Sequence, residues 1–171
     1  MVFIQSFRLR TSTTINLNRE IEKVDMTKRF SVIAGCLLGI VLPLLVVGIV
    51  SGTVCRHCIQ LAPVVFVLII TIRRIGWSPY AALPLFSLWL VLMVLIWLYL
   101  LNIAKVISGH FTPVEIIMTI VIGLFCVWGI IASLRSTVKL RLLMKVLIFL
   151  LFLGVQLSAL WMSFLKSLAY D

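Results

Sequence analysis

Along this chain the apolar residues do not alternate with polar ones. They come in long blocks separated by short polar gaps. Windows free of Asp, Glu, Lys and Arg cover residues 30–55, 75–104, 116–134 and 146–165. Each is long enough to cross, since a spanning helix needs ~20 mostly apolar residues. A fifth window, residues 58–72, holds 15 residues, short for a span at ~1.5 Å of rise per residue. It crosses if Arg73 and Arg74 lay their stems in lipid and reach the head groups with their charges. The pattern therefore predicts an all-α, polytopic membrane bundle of five transmembrane helices, at about residues 30–52, 59–75, 79–101, 114–134 and 143–166. An N-terminal tail over residues 1–29 precedes the transmembrane domain of residues 30–166, and a short segment, 167–171, follows it.

Composition removes the soluble alternative. Apolar residues make up 63% of the 171 and charged residues only 12%, against about half and about a quarter in a soluble domain. The net charge of +10 would suggest nucleic acid in a soluble protein, but here membrane topology accounts for it, because cytoplasmic loops collect Lys and Arg. With five spans and the N-terminus inside, 12 of the 15 cations fall inside, and only Arg56, Lys105 and Lys166 fall outside. If the short window did not cross, the split would be 8 to 7. Five spans with the N-terminus inside and the C-terminus outside is the expected topology.

Local signals sharpen the boundaries. Ser78-Pro79 reads as an N-cap and first helical residue, and Thr112-Pro113-Val114-Glu115 as a capping box. Trp77 and Tyr80 suit an inner aromatic belt; Trp97, Tyr99 and Trp161 suit an outer one. Pro43 and Pro84 fall within spans. The tail carries three of the five acids and the polar run Thr11-Ser12-Thr13-Thr14, with a short helix expected over residues 18–28. Met26-Thr27-Lys28-Arg29 is also the kind of basic lead-in that opens a signal anchor.

Candidate chemistry is sparse. Ile33-Ala34-Gly35-Cys36 spells a lipobox, but its apolar stretch follows the cysteine instead of preceding it. Gly35-x-x-x-Gly39 and Gly48-x-x-x-Gly52 in the first span are spaced for close helix packing, within the chain or against another membrane protein. Cys55-Arg56-His57-Cys58 has the spacing of a dithiol redox site, with Arg56, His57 and a nearby helix start to favour a thiolate. The expected topology places it on the outer, oxidising side. This pair resembles the outward cysteine pair of quinone-linked disulfide oxidoreductases of bacterial inner membranes, which use a second external pair. Here Cys36 and Cys126 lie within spans. A structural disulfide or idle thiols are the simpler alternatives. Cys55, His57, Cys58 and His110 have the atoms for zinc, although three ligands within four residues strain a tetrahedral site. Ile59 after Cys58 excludes a c-type haem, and no cofactor is expected. No ionisable group lies mid-span, as ion-coupled transport would require.

The stretch Ile72-Arg73-Arg74-Ile75-Gly76-Trp77-Ser78-Pro79-Tyr80, followed by a Leu-rich span, resembles a family of small bacterial inner-membrane proteins of unknown function. In that family a span ending in Arg-Arg-Leu-His-Asp passes through a Gly-x-Ser turn with aromatics into the next helix. Arg73, Arg74, Gly76, Ser78 and Tyr80 hold the comparable places over about thirty residues; the His-Asp pair is absent and the turn is shorter. The resemblance implies a bacterial inner-membrane setting and brings no activity. The expectation is a non-enzymatic accessory, assembly or interaction subunit that meets the lipid bilayer and a membrane protein through its first helix. A thiol–disulfide oxidoreductase is the alternative, and a carrier of a neutral or lipid-like solute the second.

Overall fold

The computed structural model describes the backbone over residues 2–103, 111–136, 138 and 140–164, and side chains from Met26 onward. Among these residues the chain is all-helical. It comprises α1 (Val2–Val50), α2 (Val54–Ile72), α3 (Ser78–Leu100), α4 (Pro113–Leu134) and α5 (Leu142–Ser163). All five are long and apolar enough to cross a membrane, α1 over Met26–Val50, which points to a multi-pass membrane protein. The short helix expected over residues 18–28 is part of α1, which runs without interruption from Val2. The segment 167–171 lies outside the described residues, as do Lys105, His110 and Lys166.

The second span is longer than its charge-free window. α2 starts at Val54 and has 19 residues, about 28 Å at ~1.5 Å per residue. That is close to the ~30 Å hydrocarbon core. Cys55-Arg56-His57-Cys58 is thus the first turn of a helix, not a loop, because both intervening polar side chains find partners there, as described below.

Four of the helices turn one stripe inward at alternating steps of three and four residues, while α3 is buried more broadly. On α1 it is Phe30, Ile33, Leu37, Ile40 and Leu44; on α2, Gln60, Val64, Val67 and Thr71. On α4 it is Thr119, Ile122, Cys126, Gly129 and Ser133, and on α5 Phe152, Gln156, Ala159 and Ser163. Such spacing is that of near-antiparallel helices packing knobs into holes. The helices form a ring in the order α1, α4, α3, α5, α2, which α2 closes against α1. α3 also leans on α2, so its Ala82, Leu85, Phe86 and Trp89 fill the core.

The turns are built at three helix ends. Gly52 (φ 66°), Arg74 (φ 56°) and Asn102 (φ 58°) take the left-handed conformation just past α1, α2 and α3. After α2, Ile75 N donates to Ile70 O (3.1 Å) and Arg74 N to Thr71 O (2.9 Å), the paired bonds of a Schellman motif. α3 differs from expectation at its start. Trp77 is the N-cap, no side chain caps the helix, and the Ser78 hydroxyl is buried without a hydrogen-bond partner among the described residues. α4 opens as expected: Thr112 Oγ1 accepts from Glu115 N (3.3 Å) and Thr112 N donates to Glu115 Oε2 (2.7 Å). At the end of the bundle holding Arg73 and Arg74, Arg29 Nη1 donates to the Arg135 carbonyl and Tyr80 Oη to Val138 O (3.1 Å). The Lys145 ammonium lies 5.1 Å from the Tyr80 ring centre.

Candidate functional site at the start of the second helix

The chain reaches this site through a tight reversal. Gly52 adopts φ 66°, Thr53 N donates to Gly48 O (2.9 Å), and α2 begins one residue later. Cys55 and Cys58 are both free and exposed on its first turn. The two residues between them are engaged elsewhere.

His57 turns back toward α1. Its ring lies against Gly48, where an added Cβ would stand 3.1 Å from the His57 Cβ. Its Nδ1 lies 3.0 Å from the Thr53 carbonyl and 3.2 Å from Thr53 Oγ1. A carbonyl only accepts, so Nδ1 carries the proton and donates. Thr53 Oγ1 in turn pairs with Ser51 Oγ at 2.6 Å. His57 therefore locks the α1–α2 turn.

Arg56 turns the other way, toward α5. Its guanidinium carbon lies 4.2 Å from the centre of the Phe164 ring, a cation–π contact. Its Nε is buried without a hydrogen-bond partner among the described residues. One turn deeper, Gln60 Nε2 donates to Ser163 Oγ (2.8 Å), which donates to Leu160 O (2.6 Å). Gln156 Nε2 donates to the Gln60 carbonyl (3.1 Å). Gln156 is fully buried, and its Oε1 has no partner among the described residues. Polar links thus zip α2 to α5 from Arg56 inward. Residue type and spacing did not mark Gln60, Ser163 or the Arg56–Phe164 contact. Their shared signal is two glutamines in apolar helices, each near the end that carries the cysteines.

Four further polar side chains of the spans bond to their own helices, whereas the Ser133 hydroxyl and Trp89 Nε1 are buried without a hydrogen-bond partner among the described residues. Thr71 donates to Val67 O, Ser87 to Leu83 O, Thr119 to Ile116 O and Ser158 to Gly154 O, at 2.7–2.9 Å. Among the described residues no three His, Cys, Asp or Glu side chains converge as metal ligands. Cys55 and Cys58 face out while His57 faces Thr53, and His110 lies outside the described residues.

The four glycines expected in the first span divide. A Cβ on Gly39 would stand 2.5 Å from the ring of Phe125 on α4, and Gly48 meets His57. Gly35 has no atom within 4 Å of that position, and Gly52 sits in the turn after α1. A further close approach joins α3 and α4, where a Cβ on Gly129 would stand 2.5 Å from the Phe86 ring. No protein-family model, curated protein or solved structure matches the chain.

Proposed function

We propose that this is a multi-pass protein of a bacterial inner membrane that acts without catalysis, as an accessory, assembly or interaction subunit of another membrane protein. The observation that carries this reading is the use of Arg56 and His57. The two groups that would activate a thiolate at Cys55 or Cys58 instead hold α2 to Phe164 and to Thr53. The cysteine turn then acts as a joint between helices. Orientation follows from charge: the tail and the Arg73–Arg74 turn lie inside and the cysteine turn outside, because Lys and Arg collect on the cytoplasmic side. The resemblance of the Arg73–Tyr80 stretch supports the bacterial inner membrane. Within the first helix, Gly39 and Gly48 are taken up inside the chain, against Phe125 and His57.

A second reading has its own support. Cys55 and Cys58 are both exposed on one turn, open to a thiol–disulfide exchange partner. One experiment separates the two. The protein is isolated in mild detergent from cells whose thiols were trapped with a mass tag, beside the Cys55→Ser/Cys58→Ser variant. A subunit co-purifies with a second membrane protein in both forms, and its thiols keep one redox state when an electron donor or acceptor is supplied. A lone monomer overturns the subunit reading, and a cysteine pair that cycles establishes the enzyme.

A further inference from the structure

The lipid-facing seam between α1 and α4 has a groove of about 570 Å³, lined by Val32, Gly35 and Cys36 on one wall and Leu124, Phe125 and Trp128 on the other. At about 30 Å³ for a water-sized group, it holds roughly nineteen such groups, the bulk of one long acyl chain. Gly35 leaves the floor open, with nothing within 4 Å of where its Cβ would stand. Trp128 is 65% exposed on the rim.

Helix geometry puts cations at one end of this groove. Lys28 stands four residues before Val32, and Arg135 seven residues after Trp128. Residues three, four and seven apart share a helix face. Both side chains therefore continue the groove walls to the end of the bundle where α1 enters the span and α4 leaves it. Lys28 and Arg135 are exposed, and Arg29 Nη1 fastens the two helices there by donating to the Arg135 carbonyl. Of the acids on these two helices, Asp25 stands three residues before Lys28 on α1, and Glu115, at the start of α4, stands at the other end, so cations outnumber acids beside the groove's mouth.

We infer that this seam binds one anionic phospholipid. Its phosphate lies between Lys28 and Arg135, and one acyl chain lies in the groove over Gly35. Charge complementarity decides the occupant. A neutral lipid or an apolar helix would fill the groove and leave the excess positive charge at its mouth unmatched. A phosphate ester on an acyl chain satisfies both parts at the depth where each is found, with the lysine and arginine stems running along lipid.

The test uses the full chain, purified and exchanged into micelles with equal phosphatidylglycerol and phosphatidylcholine, with retained lipid counted by native mass spectrometry. The wild-type monomer is expected to keep one phosphatidylglycerol in preference to phosphatidylcholine. Each cation near an anionic head group is worth about fivefold, so Lys28→Gln/Arg135→Gln should weaken that preference roughly thirtyfold. Gly35→Leu should abolish retention with both cations in place, and Val32→Phe, which narrows the same wall, serves if the leucine variant does not fold. Arg74→Gln/Arg141→Gln removes equal charge from the same end, away from the groove, and should change retention little. Equal retention of the two lipids overturns the site. So does an equal loss in the Arg74/Arg141 variant, which reduces it to diffuse charge attraction. Unchanged retention in the groove-filling variants, or a dimer that Gly35→Leu dissociates, also overturns it; the dimer would mean that a second copy occupies the seam.

Discussion

A Cβ placed on Gly129 would stand 2.5 Å from the Phe86 ring, which is fully buried between α3 and α4; one placed on Gly123, two turns earlier on α4, would meet nothing within 4 Å. The two glycines look alike in the sequence but differ in what surrounds them. Gly129→Ala should lower stability by about 1–3 kcal/mol, the usual cost of overpacking a filled core. Gly123→Ala should leave it unchanged or raise it by about 0.5–1 kcal/mol, since glycine weakens a helix interior. Thermal unfolding in detergent, followed by helical circular dichroism, checks the pair. Equal effects would show that helix propensity alone decides and that the Phe86 contact is not close. Only the neighbour distinguishes the two sites, and a single sequence does not record the neighbour.

The elements themselves were legible because the charge-free blocks set where helices can lie in lipid. All five windows contain helices. The capping box at Thr112 was legible too, being a local pattern with a local cause. The start of α2 was not. Arg56 and His57 read as a loop until the Phe164 ring and the Thr53 carbonyl, remote or hidden in a turn, are seen to take them up. The inward faces were equally hidden. Apolar side chains point both to lipid and to the core, so hydrophobic pattern does not mark the buried stripe. On α4 and α5 the stripe is marked by small and polar residues instead, Thr119, Gly129, Ser133, Gln156 and Ser163, as expected where lipid gives no drive for helices to associate. Gln60 tests whether such residues hold the bundle. Gln60→Leu removes the bond to Ser163 Oγ but leaves the backbone carbonyl that Gln156 uses. Interhelical hydrogen bonds in membranes average about 0.6 kcal/mol and reach about 1.7 kcal/mol, so a loss within that range is expected. Ser87→Ala, whose hydroxyl serves only its own helix, should change little. A loss for Ser87→Ala as large as that for Gln60→Leu would assign the effect to the helix itself and not to the α2–α5 link.

At the scale of the whole molecule the bundle has two unlike ends, and the proposed orientation can be read from its own thiols. Cys55 and Cys58 are exposed at one end, while Cys36 and Cys126 are buried in the helices. Arg73, Arg74 and Gly76 are exposed at the other end, in the turn that Arg74 makes with φ 56°. Retention of positive charge on the cytoplasmic side should hold this turn inside. A membrane-impermeant maleimide added to intact cells should therefore label the wild-type chain twice, at Cys55 and Cys58. In a Cys55→Ser/Cys58→Ser background carrying Gly76→Cys, the same reagent should label nothing until the membrane is permeabilised. Position 76 suits the probe, because a Cβ there would meet only Val138 Cγ1, at an ordinary 3.8 Å. Replacing Arg73 and Arg74 with glutamate takes away the retaining charge, to which acidic residues add little of their own. A fraction of Gly76→Cys should then become reachable from outside. Labelling at position 76 in intact cells with both arginines present would reverse the bundle and put the cysteine turn inside.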